Sequence, residues 1–145
     1  ASVLALAYVM NFSGQTIAMG TYLAGLGTVY AFLAPALGWI GTAVTGSDTS
    51  ANALFAKLQV SAAENLQHAG IHGATPELML AANTTGGVVG KMISPQSLAI
   101  AATSVDMEGK ESDILKAVLP WSFAMLVVVC ILVFLQTNVL SFMIP

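Results

Sequence analysis

The sequence contains no arginine, and its first 47 residues contain no aspartate, glutamate, lysine, arginine or histidine. Charged residues make up only 8% of the 145 residues, where a soluble domain carries about 25%. Four lysines against seven acids give a net charge of −3, which argues against a nucleic-acid partner. The single cysteine, Cys130, excludes an internal disulfide and sits in the most apolar segment, where it reads as packing. The chain starts at Ala1, already inside apolar sequence, with no basic n-region and no cleavage site. A signal peptide is therefore not expected, and the chain reads as a piece of a longer membrane protein.

What is present is long apolar sequence, 57% hydrophobic with a mean hydropathy of +0.83. A spanning helix needs about 20 such residues. The pattern predicts an all-α membrane protein with spans near residues 1–19, 21–41, 77–105 and 119–144. The last is charge-free from Ala117 onward, with Pro120 at its entry and Trp121 as an interface anchor. The first two are separated by the polar run Asn11–Thr16, and Pro35 is expected to kink or end the second. The third is expected to be interrupted twice, at Asn83–Gly87 and at Lys91–Ser97. Polar breaks at membrane depth survive only inside protein or beside water, so a re-entrant hairpin and a discontinuous helix are predicted. An amphipathic helix is expected over Ala53–Gln67, a loop over His68–Pro76 and a charged loop over Asp106–Lys116. Lys110 and Lys116 in that last loop favour a cytoplasmic side for it.

The apolar stretch ends at Gly46-Ser47-Asp48-Thr49-Ser50-Ala51-Asn52. Such residues cap helices, so a plain cap for the following helix is one reading. The other is a hairpin tip whose hydroxyls, amide and helix N-terminus bind an anionic solute. In Asn83-Thr84-Thr85-Gly86-Gly87, adjacent glycines permit unwinding. Lys91 either snorkels to the interface or serves as counter-charge to an anion, and Ser94 with Pro95 would end the helix. The candidate substrate residues are thus Ser47, Thr49, Ser50, Asn52, Asn83, Thr84, Thr85, Gly86, Gly87, Lys91 and Ser94. Asp48 is the candidate proton carrier, because burial favours the neutral form of a carboxylic acid while a nearby lysine opposes this. His68 and His72 share i,i+4 spacing with Glu64 one turn before, but Gly70 and Gly73 break that helix, and no metal is expected. No nucleophile–base set or phosphate loop is present in the sequence. Neither an enzyme nor a cofactor is expected.

The runs Gly46–Phe55 and Asn83–Gln96, with Tyr8–Gly14 and Leu37-Gly38-Trp39, resemble the L-lactate permease family along essentially the whole chain. The resemblance implies the C-terminal part of a bacterial inner-membrane, multi-pass carrier. Such a carrier moves L-lactate, and related 2-hydroxy monocarboxylates such as glycolate, together with protons. That family is in turn similar to the ion transporter superfamily, whose inverted repeats each carry a re-entrant hairpin and a broken helix. This chain would then hold one repeat, with the N-terminal part of the carrier as its missing partner, and be inactive alone. The lipid bilayer is its solvent, and a homo-oligomer is compatible with the sequence. Two rival readings remain at this point: a sodium-coupled organic anion carrier, and a membrane assembly subunit with no solute route of its own.

Overall fold

The computed structural model describes residues 2–140 and Phe142. Within these residues all regular structure is helical: α1 Ser2–Phe12, α2 Gln15–Ala24, α3 Thr28–Thr45, α4 Asp48–His68, α5 Pro76–Gly90, a 3-10 turn Lys91–Ile93, α6 Pro95–Ser104 and α7 Glu111–Asn138. The end of the span expected over 119–144 falls on Ser141, Met143 and Ile144, which lie outside the described residues.

Local chemistry sets the boundaries. Gly46 adopts φ 71°, ψ 6°, the left-handed conformation that ends α3, and donates its N–H to the Thr42 carbonyl. Ser47 is extended, and its hydroxyl accepts from the Ser50 N–H, so α4 begins at once with Asp48 in its first turn. Thr75 and Ser94 cap α5 and α6 in the same way, each followed by proline at the first helical position. The expected amphipathic helix therefore starts at Asp48 rather than Ala53, because the cap is Ser47, the first polar residue of the run, and not its last.

Four further sequence expectations are corrected. The helix foreseen over 21–41 is divided at Gly25-Leu26-Gly27, where Gly27 takes φ 60°, ψ −137°, a conformation open only to glycine. Pro35 does not end its helix, since α3 continues to Thr45. The cluster Asn83–Gly87 does not unwind: α5 runs through it to Gly90, and the break falls at Lys91–Ser94 alone. Likewise α7 starts at Glu111, so Pro120 lies inside it and the charged loop is shorter than expected. His68 ends α4 and His72 lies in the following turn, both exposed.

Two helices, α3 and α7, are long and apolar enough to cross a membrane, and α1 with α2 forms a third such length bent by 72°. Part of the polar run at that bend is satisfied internally, with buried Thr16 donating to Asn11 Oδ1 at 2.8 Å. α3 is the central helix: it lies against α4, α5 and α7, while α1 and α2 pack on α4. The core between them holds Tyr30, Ala34, Leu66, Met79, Ala82 and Val133. α7 is fastened by Ser122, whose hydroxyl accepts from Trp39 Nε1 at 2.9 Å and donates to the Val89 carbonyl at 3.1 Å.

The α3–α5 contact is backbone on backbone. A Cβ at Gly38 would overlap the Asn83 carbonyl, one at Gly86 the Pro35 carbonyl, and one at Gly90 the Trp39 carbonyl. Gly86 and Gly90 are one turn apart, the small-xxx-small spacing that lets membrane helices approach closely. The glycines of the second cluster thus serve approach between helices, not unwinding.

Candidate functional site

Where α3 hands over to α4, against the middle of α5, a polar network crosses an otherwise apolar bundle. It begins at Tyr30 on α3, whose hydroxyl donates to Gln59 Oε1 at 2.6 Å. Gln59 Nε2 donates to Asn83 Oδ1 at 3.2 Å and to the Ala34 carbonyl at 3.1 Å. Asn83 Nδ2 donates to Asn52 Oδ1 at 2.7 Å, and Asn52 Nδ2 donates to Asp48 Oδ2 at 3.3 Å. Every donor in this chain points towards the carboxyl. Tyr30, Gln59 and Asn83 are fully buried. In a low-dielectric interior such a network stabilises only when its members are satisfied, and each link polarises the next.

The carboxyl at the end of the chain is half satisfied. Asp48 Oδ2 has its bond from Asn52, but Oδ1 is buried and has no hydrogen-bond partner among the described residues. Among the described residues, the other buried side-chain atom without a partner is Thr42 Oγ1, on α3. Both face the same point on α5: a Cβ at Gly87 would overlap Asp48 Oδ1 and lie 2.8 Å from Thr42 Oγ1. Gly87 is what allows the carboxyl to sit there.

The site residues expected from sequence divide into groups. Asp48, Asn52, Asn83, Thr84 and Gly87 are brought together, with Thr84 Oγ1 3.2 Å from Asn52 Oδ1. Lys91 is exposed, yet its Nζ donates to the Gly46 carbonyl at 3.0 Å, so it caps the end of α3 beside this junction. Ser47 is occupied as a helix cap, Thr49 is exposed and Ser50 is half-buried. Three residues are placed elsewhere. Gly86 faces Pro35. Thr85 lines a separate cavity of about 200 Å³ with Leu78, Val129 and Gln136. Ser94 is buried as the cap of α6.

Sequence reading missed Tyr30, Thr42 and Gln59. Gln59 had a signal: it lies seven residues after Asn52, about two helical turns, and so on the same face of α4. Thr42 and Tyr30 had none, because a lone threonine or tyrosine in an apolar helix is unremarkable.

The chain is 48% identical over all of its length to an L-lactate permease of Bacillus subtilis. It is 47% identical over 99% of its length to an L-lactate permease of Escherichia coli. A glycolate permease of Escherichia coli is 42% identical over 96% of the chain. The chain spans about a quarter of the length of these relatives, 25%, 25% and 24%. No solved structure matches it. The model of the L-lactate permease family matches residues 1–140 and so runs through every element that builds the network, from Tyr30 to Lys91; this chain belongs to the L-lactate permease family.

Proposed function

We propose that this chain forms part of a bacterial inner-membrane carrier that moves L-lactate, and related 2-hydroxy monocarboxylates such as glycolate, by proton symport. The observation that carries the reading is the Asp48 carboxyl. It is the only charged group in the first 56 residues, and it is held by a directed hydrogen-bond chain with its second oxygen unpartnered. A carboxyl so placed can take up and release a proton as its surroundings change. The substrate carboxylate is read as lying at the exposed side of the same junction. There the first turn of α4 with Thr49 and Ser50, the hydroxyl of Thr84 and the ammonium of Lys91 offer donors. The α3–α4 hairpin and the α5–α6 break correspond in this reading to the hairpin and discontinuous helix of one inverted repeat. The names of the relatives support the substrate class, and the remainder of the carrier would complete the site.

The test is uptake of labelled L-lactate by the full-length carrier, driven by an imposed proton gradient, with and without sodium. Asp48→Asn is expected to abolish proton-driven accumulation, and Lys91→Ala to raise the lactate concentration needed for half-maximal uptake. Accumulation that survives in Asp48→Asn would sink the coupling assignment. Uptake that follows a sodium gradient instead would favour a sodium-coupled carrier.

A further inference from the structure

We propose that Gln59 is a positioning residue of the coupling carboxyl: it locks the amides of Asn83 and Asn52 so that Asp48 Oδ2 meets an N–H and never an amide oxygen. The inference rests on the reading of Asp48 as the proton carrier. An amide side chain has a donor end and an acceptor end, and turning it over exchanges them with little change of shape. A chain of amides can therefore run either way unless one member is fixed from outside. Tyr30 does not fix it, because a hydroxyl both donates and accepts. The Ala34 backbone carbonyl does, because it only accepts. It lies 3.1 Å from Gln59 Nε2, so that end of Gln59 is the donor.

The direction then passes from link to link. With Nε2 turned to Ala34 and Asn83, the Asn83 atom 3.2 Å away is the acceptor Oδ1. Asn83 presents Nδ2 to Asn52, whose Oδ1 accepts at 2.7 Å. Thr84 Oγ1 lies 3.2 Å from the same oxygen and takes its second lone pair. Nδ2 is the end of Asn52 left for Asp48, and it donates to Oδ2 at 3.3 Å. Gln59 and Asn83 are fully buried, so the links are held by protein atoms.

Removing Gln59 removes the lock. Asn83 Oδ1 has no other donor among the described residues. Asn83 and Asn52 can then turn over together. Their mutual bond survives with donor and acceptor exchanged, and the Thr84 hydroxyl keeps the Leu80 carbonyl 3.1 Å away. The turned Asn52 shows its oxygen to Asp48 Oδ2. That contact repels an ionised carboxyl and accepts the O–H of a protonated one, so the amides follow the proton and hold it. Charged groups on the surrounding elements are few. α3 brings none, α5 has Glu77 in its first turn, Lys91 is bonded to the Gly46 carbonyl, and α4 has Lys57, Glu64 and His68 farther along.

The experiment uses the full-length carrier in membrane vesicles with Gln59→Leu, Tyr30→Phe, the two combined, and Asp48→Asn. Proton-driven net lactate uptake is measured beside lactate–lactate exchange, which needs no proton release, and stability is read by detergent unfolding. Gln59→Leu is expected to cut the ratio of net uptake to exchange about tenfold. Tyr30→Phe removes a link that carries no direction, so it should lower stability and keep the native ratio. The combined variant strands no Tyr30 hydroxyl, so it should be at least as stable as Gln59→Leu while its ratio stays low. If Asp48→Asn abolishes proton-driven uptake but both Gln59→Leu variants keep the native ratio, the Gln59 proposal falls alone. It also falls if Tyr30→Phe lowers the ratio as far as Gln59→Leu does, if the ratio recovers in the combined variant, or if the Gln59→Leu variants lose exchange together with net uptake. Each of those results makes the network structural only. If Asp48→Asn still accumulates lactate on a proton gradient, the underlying reading falls and the proposal with it.

Discussion

Replacing Gly86 with alanine sets two effects of known sign against each other. Alanine is the better helix former, and in the middle of α5 the exchange should stabilise by about 0.5–1 kcal/mol from propensity alone. The packing says otherwise. The new Cβ would overlap the Pro35 carbonyl oxygen and lie 2.7 Å from its carbon. These are backbone atoms of a buried helix, and no rotamer change relieves them. Overpacking of a filled interior costs about 1–3 kcal/mol. Relief requires α5 to lift from α3, and Gln59 bridges the two through α4. The lift must open either its 3.2 Å bond to Asn83 or its 3.1 Å bond to the Ala34 carbonyl. Loss of one such bond costs about 1 kcal/mol more. The sum is a net destabilisation of about 1–3.5 kcal/mol. Unfolding of the purified full-length carrier in mixed micelles, titrated with a denaturing detergent, reads this difference. Val88→Ala, at a neighbouring exposed position, serves as the control and should change stability by less than about 0.5 kcal/mol. A Gly86→Ala carrier as stable as the native one, or more so, would refute the backbone seam.

Gln59→Leu removes the middle of the network and strands the Tyr30 hydroxyl and Asn83 Oδ1 in the interior, at about 1–3 kcal/mol for each unpaired group. Combining it with Tyr30→Phe should cost less than the sum of the two changes, and a double-mutant cycle on detergent unfolding checks this. Ser122→Ala leaves Trp39 Nε1 and the Val89 carbonyl without their shared partner. A loss of about 1–2 kcal/mol with native lactate affinity is expected, and uptake kinetics beside unfolding separate the two.

Much of the architecture was legible because bilayer and backbone chemistry write it in few letters. The charge-free stretch, a helix cap within the Ser47–Asn52 run and the break at Ser94-Pro95 all appear in the structure close to where composition puts them. The misreadings at the glycines share one cause. Glycine permits both an irregular backbone and a close approach, and a sequence alone does not say which is used. At Gly25 and Gly27 it ends a helix; at Gly86, Gly87 and Gly90 it admits a neighbour. Only the facing residues decide, and Pro35, Asp48 and Trp39 are far away in the chain. The same holds for the site. Polar letters marked Asp48, Asn52 and Asn83, but the partners that make them a network, Tyr30 and Gln59, sit singly among apolar neighbours.

The seam between α3 and α5 also has a mechanical meaning. Sliding between helices is ordinarily absorbed by side chains that change rotamer. Here carbonyls rest directly on glycine Cα atoms at Gly38, Gly86 and Gly90, so little is left to yield. The two helices form one stiff lever, with the carboxyl lodged near one end of it, beside Thr42 and Gly87. Compliance is left to the places without such contact, the Gly25–Gly27 link before α3 and the Lys91–Ser94 turn after α5.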